Sequence, residues 1–168
     1  MKKILYILFV LMMLAGLAAC RPSADTKNPV PAEDPTESVP ELFSFSVYVP
    51  NDNADGFDVI TVFAEDISAE TVLAELKQQA VLPDAVSINA FQLDHGLITL
   101  DFNQAFADVL CSMGTSGELM IIGSVVNTFL DAFQAESVYF TVNGGILESG
   151  HTIYDFPIFF SPDPHPAG

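Results

Sequence analysis

The chain has 168 residues, half of them hydrophobic, with 22 acidic side chains against 5 basic and a formal net charge of −17. That is enough apolar material for one core, and too much negative charge to approach a phosphate backbone, so nucleic-acid binding is excluded. The mean hydropathy of +0.39 is inflated by the N-terminus and does not mark an integral membrane protein. Lys2, Lys3, Arg21 and Lys27 lie in the first 27 positions, and from Leu42 onward the only basic side chain is Lys77. Such a surface is also repelled by an anionic membrane unless cations or wall polymers intervene.

Lys2 and Lys3 form a positive n-region ahead of the apolar run Ile4 to Leu14, which is too short to span a bilayer. Leu17-Ala18-Ala19-Cys20 follows. Small residues before a cleavage point mark a signal peptide, and the Cys after them makes a lipobox. This N-terminus resembles that of bacterial lipoproteins. The resemblance implies a signal peptide over 1–19, removed on maturation, and a diacylglycerol thioether on Cys20. A diacyl anchor meets the two-signal requirement for stable attachment.

Residues 20–41 read as the lipidated Cys followed by a disordered tether: Pro22, Pro29, Pro31, Pro35 and Pro40 are set among Asp, Glu, Ser and Thr. Its reach is at most about 60 Å in polyproline II geometry. A folded domain is expected over 42–160, with a frayed Pro-rich tail over 161–168.

Within the domain, Phe43, Phe45, Val47 and Val49 alternate with Ser44, Ser46 and Tyr48, the period of a half-buried strand. Phe57 to Ala64 is a second strand, rich in β-branched and aromatic residues. Ser68 caps a helix running to about Gln79, with Ile67 and Val72 at staple positions, Glu70 in the first turn and Lys77 in the last. Pro83 is expected to break it. Val86 to Leu93 and Leu97 to Leu100 are strands joined through Asp94-His95-Gly96. Asp101 is placed to cap a short helix, with Gln104 three residues on. Then comes the clearest periodic signal. Leu119, Ile122, Val126, Phe129 and Phe133 form one helical stripe, with Ser124, Asn127, Thr128, Asp131 and Gln134 on the other side. Thr115 and Glu118 have the spacing of a capping box. Val138 to Val142 is a strand, Asn143-Gly144-Gly145 a turn, and Ile146-Leu147 the start of another strand. The order predicts an α+β fold, a two-layer sandwich of a mostly antiparallel sheet with helices on one face.

Little chemistry is legible. With Cys20 modified, Cys111 has no disulfide partner and reads as a buried structural thiol. Asn51, Asn53, Asp55 and Gly56 imitate the opening of a calcium loop, but Val62 stands where a bidentate Glu belongs and no helices flank it, so a plain solvated hairpin loop is the favoured reading. His95, His151 and His165 lack zinc-ligand spacing. Ser112, Ser116 and Ser149 lack a nucleophile elbow. No cofactor is expected.

The chain from about Tyr48 to Pro157 resembles the GerMN domain of spore-germination and sporulation proteins. The residues that carry this are Asp94-His95-Gly96-Leu97-Ile98-Thr99-Leu100-Asp101-Phe102-Asn103, Gly117-Glu118, Ser124-Val125-Val126-Asn127-Thr128-Phe129, Val138-Tyr139-Phe140-Thr141-Val142-Asn143-Gly144, and the Gly-His turn at Gly150-His151. The resemblance implies a non-enzymatic, membrane-anchored protein of the extracytoplasmic cell envelope. Its partners would be the membrane, through Cys20, and an envelope protein or a second copy of itself. The alternative is a small-ligand or calcium-binding envelope lipoprotein using the loop at Asn51 to Asp58. The chain departs from the family between Asn51 and Asp66, where basic residues are common and here there are none.

Overall fold

A computed structural model of the chain describes residues 41–160. The signal-like segment, Cys20, most of the tether and the tail from Ser161 lie outside the described residues. Strands β1 (Phe43–Pro50) and β2 (Phe57–Ala64) form an antiparallel hairpin with unbroken register from Phe43↔Ala64 to Pro50↔Phe57. Helix α1 (Ala69–Gln78) starts on Ser68, whose hydroxyl accepts the Thr71 N–H at 3.2 Å, and buries Val72, Leu73 and Leu76.

Strands β3 (Ile88–Asp94) and β4 (Leu97–Phe102) turn through His95 and Gly96, both at positive φ, which is the geometry of a type I′ turn. Helices α2 (Gln104–Cys111) and α3 (Thr115–Phe133) then carry the chain over to β5 (Ser137–Val142), which pairs parallel with β4. A parallel neighbour requires such a crossover. A second turn with both central residues at positive φ, Asn143 and Gly144, leads into β6 (Gly145–Glu148). Two short strands follow, β7 (Ile153–Tyr154) on β6 and β8 (Ile158–Phe159) on β5. The large sheet runs β3-β4-β5-β6-β7, with every pairing antiparallel except β4–β5.

Period-two alternation builds the main core. Ile98, Leu100 and Phe102 of β4 and Val138 and Phe140 of β5 are buried under the helices. Phe102 and Phe106 stack at 4.2 Å, with Phe140 5.7 Å from Phe106. This is the expected α+β arrangement, with helices on one side of a mostly antiparallel sheet. Among the described residues the core side chains run from Phe45 to Tyr154, so this stretch carries a core of its own.

Helix α3 is buried on more than its apolar stripe. Ser124, Asn127 and Thr128 on its other side are also inaccessible, and the β1–β2 hairpin docks on this side of the helix. The Ser46 N–H donates to Asp131 Oδ2 at 2.6 Å and the Tyr48 N–H to Thr128 Oγ1 at 3.0 Å. Gly123 permits this approach: a Cβ there would lie 2.6 Å from Phe57 Cζ. The hairpin is therefore a separate two-stranded sheet resting on α3.

Four expectations are corrected. Pro83 does not end α1. The helix stops earlier, where Ala80 enters the left-handed region at φ 58° while Val81 N–H returns to Leu76 C=O and Ala80 N–H to Lys77 C=O, a Schellman ending. Thr115 and Glu118 form no capping box. Gly114 is the N-cap, without a side-chain bond, and Glu118 turns inward to 1% exposure. Asp101 caps no helix; it remains in β4, and Asn103 occupies the cap position of α2. Cys111 is exposed, because the buried stripe of α2 is Phe106, Ala107 and Leu110.

Candidate functional site

The loop Asn51–Asp58 is the first candidate. Asn51 Nδ2 donates to Asp55 Oδ1 at 2.9 Å, Asp55 N–H donates back to Asn51 Oδ1 at 3.2 Å, and Asn51 N–H bonds Gly56 C=O at 3.0 Å. Asn51 Oδ1 and Asp55 Oδ1 are thus each engaged by a donor of the loop itself. Among the described residues no three His, Cys, Asp or Glu side chains gather as a metal site.

Asp101 organises a polar clamp at one end of the large sheet. Its Oδ1 accepts from Thr141 Oγ1 and from Gly144 N–H, each at 2.7 Å, and its Oδ2 from Asn89 Nδ2 at 3.1 Å. Asn89 also donates to Phe102 C=O and Asn143 Oδ1. Burial raises the Asp101 carboxyl, but the Gly144, Thr141 and Asn89 donors outweigh it and hold the group below the usual aspartate value. Every contact is to the protein itself, so the clamp locks the β5–β6 turn to β3 and β4.

Glu118 forms a second internal tie. Its Oε1 accepts from Tyr154 Oη at 2.6 Å and Ser149 Oγ at 2.5 Å, which fastens the β6–β7 hairpin to the first turn of α3. Burial, then the hydrogen bond to Glu118 and its charge, push the Tyr154 phenol far above its ordinary value. The Ser149 hydroxyl also accepts from the backbone N–H groups of His151 and Thr152. The His151 ring lies 3.3 Å from Met113 C=O, so it is not aimed at Ser149 as a base would be. Two surface hollows, of about 280 Å³ beside Leu130, Asp131, Gln134 and Phe160 and about 570 Å³ beside Lys77, Asp84, Ser112 and Met113, are shallow and open to solvent.

The feature that does face outward is β2. Val59 is 56% exposed, Phe63 67% and Ile60 37%. The Ser46 and Tyr48 N–H groups point to α3, so Ser46↔Thr61 and Tyr48↔Val59 are pairs without mutual hydrogen bonds. The alternation of an antiparallel ladder then aims the N–H and C=O of Val59, Thr61 and Phe63 at the open side. Other edges among the described residues are blunted. That of β1 is occupied by Asp131 and Thr128, β3 has a register shift between Ile88 and Ala90, and β7 has two residues.

A family model described as Germane, sporulation and spore germination, matches residues 46–148. The chain belongs to this family of GerMN-domain proteins. The tandem GerMN domains of the sporulation protein GerM from Bacillus subtilis superpose with a TM-score of 0.53 at 18% identity, covering 76% of this chain and 49% of that one. The chain therefore spans about half of that tandem structure. The first GerMN domain of the same protein gives 0.44 at 17% identity, with 72% and 96% covered. No curated protein sequence matches. The family's description names a process, sporulation and spore germination, and no reaction.

The family's motif residues thus occupy structural posts: Asp101 and Asn143 in the clamp, Glu118 in the buried tie, and Thr128 under β1. Sequence reasoning missed both the internal role of Glu118 and the exposure of β2. The available signal for β2 was a strand apolar at adjacent positions, Val59-Ile60 and Val62-Phe63, which one covered face does not explain.

Proposed function

We propose that this GerMN-domain protein is lipid-anchored through Cys20 on the extracytoplasmic face of a Gram-positive cell membrane. There it acts in envelope or sporulation-related protein assembly, through contacts with an envelope protein or with another copy of itself. Residues 1–19 are a removed signal peptide, residues 20–41 a tether, and residues 42–160 the docking domain. The lipobox-like run Leu17-Ala18-Ala19-Cys20 supports the anchor. The observation that carries the docking role is the open β2 edge with Val59 and Phe63 exposed.

Two measurements test this. Cys20→Ala should release the protein from the membrane fraction and abolish the lipid mass increment on the N-terminal peptide; retention in the membrane removes the anchor. Sedimentation velocity of residues 39–168 over a wide concentration range, paired with crosslinking of the full chain in its native membrane, tests docking. Concentration-dependent oligomers or a specific crosslinked neighbour are expected. A monomer without any protein neighbour removes the assembly role. An association that requires calcium would instead favour a cation-binding role for the Asn51–Asp58 loop.

A further inference from the structure

The character of the β2 edge narrows what can occupy it. Its middle is apolar and its ends are acidic: Asp58 precedes Val59, and Glu65 and Asp66 follow Ala64, all three exposed. No basic residue lies between Asn51 and Asp66, and from Leu42 to Phe160 sixteen acidic side chains face one basic. A second copy fits this edge poorly. Antiparallel self-pairing about Thr61 would set Asp58 of one copy opposite Ala64 of the other and diagonal to its Asp66, at both ends of the ladder. Like charges at such positions oppose the pairing. An extended segment carrying cations at its two ends meets the opposite situation, since its charges complement both acidic ends of β2.

We infer that β2 is a strand-addition site for an extended, apolar segment of another protein flanked by Lys or Arg, which joins the hairpin as a third strand. This rests on the protein-docking role proposed above and specifies its surface and partner. The N–H and C=O groups of Val59, Thr61 and Phe63 supply the backbone ladder, while the side chains of Val59 and Phe63 supply apolar contact. Affinity comes from the ladder, and selection against self-pairing comes from the acids.

The probe is a synthetic peptide of alternating Val and Thr with lysines at both ends, titrated into isotope-labelled residues 39–168. The control peptide has glutamates at its ends. The lysine peptide should shift the amide signals of Val59, Thr61 and Phe63, and the glutamate peptide should not. Thr61→Pro removes an N–H that the β1 ladder does not use, so the fold, checked by circular dichroism, should persist while binding is lost. The joint variant Asp58→Asn, Glu65→Gln, Asp66→Asn leaves the backbone untouched and should weaken binding about tenfold, with a flatter salt dependence. Equal binding of both peptides, shifts confined to another surface, or no binding of the lysine peptide would overturn the inference. So would self-association that protects the β2 amides, since a second copy would then be the occupant. Crosslinks in the native membrane that map away from β2 would sink this inference while leaving protein assembly standing; absence of any protein neighbour would remove both.

Discussion

Tyr154 and Ser149 meet Glu118 inside the protein, and that contact holds the β6–β7 hairpin against α3. Tyr154→Phe should cost about 1–2 kcal/mol in urea unfolding, because it removes one buried hydrogen bond while Ser149 still reaches the carboxylate. Glu118→Ala should cost more, since the buried Tyr154 hydroxyl loses its acceptor and the part-buried Ser149 hydroxyl keeps only Thr152 C=O; equal costs would show that Tyr154 carries the tie alone. Asp101 makes a pH-dependent contribution. Its folded value lies below the ordinary 3.8, so the unfolded chain binds the proton first as the medium becomes acid. The stabilisation is present in full above the unfolded value and is lost as pH falls through the folded one. Asp101→Asn should therefore be less stable than the parent at neutral pH and show a shallower loss toward acid. Parallel curves for the two proteins would remove the clamp's electrostatic role.

Among elements, α1 and α3 both end with a non-glycine residue in the left-handed region, Ala80 at φ 58° and Gln134 at φ 51°. Glycine relieves the Cβ strain there. Ala80→Gly should raise stability by about 0.5–1 kcal/mol in chemical denaturation. Gln134→Gly should gain less, because the Gln134 amide bonds Asp131 C=O at 2.6 Å and would be lost. The seating of the hairpin on α3 is a second element-scale matter. Asp131→Ala would leave the part-buried Ser46 N–H without its acceptor, at a cost of about 1–3 kcal/mol. Faster hydrogen exchange along β1, with the β4–β5 ladder unchanged, is the expected signature. Uniform loss of protection would mean that hairpin and sheet unfold as one unit.

At the scale of the whole molecule, the formal charge of −17 works against compactness. Thermal unfolding of residues 39–168 should shift upward as sodium chloride is added, because screening weakens that self-repulsion. A downward shift would mean that specific attractive pairs outweigh the net field. The same charge leaves β2 unattractive to another copy of this chain while keeping the edge open. Among the described residues no helix is long and apolar enough to cross a membrane.

The sequence by itself determined the strands β1 and β2, the Ser68 cap, both tight turns and the long α3, because each rests on local periodicity or local backbone preference. It also determined the family, since the motif order survives in one dimension. Residues whose roles depend on distant partners were not legible. Glu118 has the spacing of a cap, yet it turns inward because Tyr154, 36 positions later, offers a buried donor. Asp101 looks like a helix cap until β5 and its turn bring Thr141 and Gly144 beside it. Thr128 lies off the apolar stripe of α3, yet it is buried where Tyr48, 80 residues earlier, donates its N–H to it. The openness of β2 was likewise decided in three dimensions. Exposure is a property of what fails to pack against a strand, and no local pattern records where the neighbouring elements come to rest.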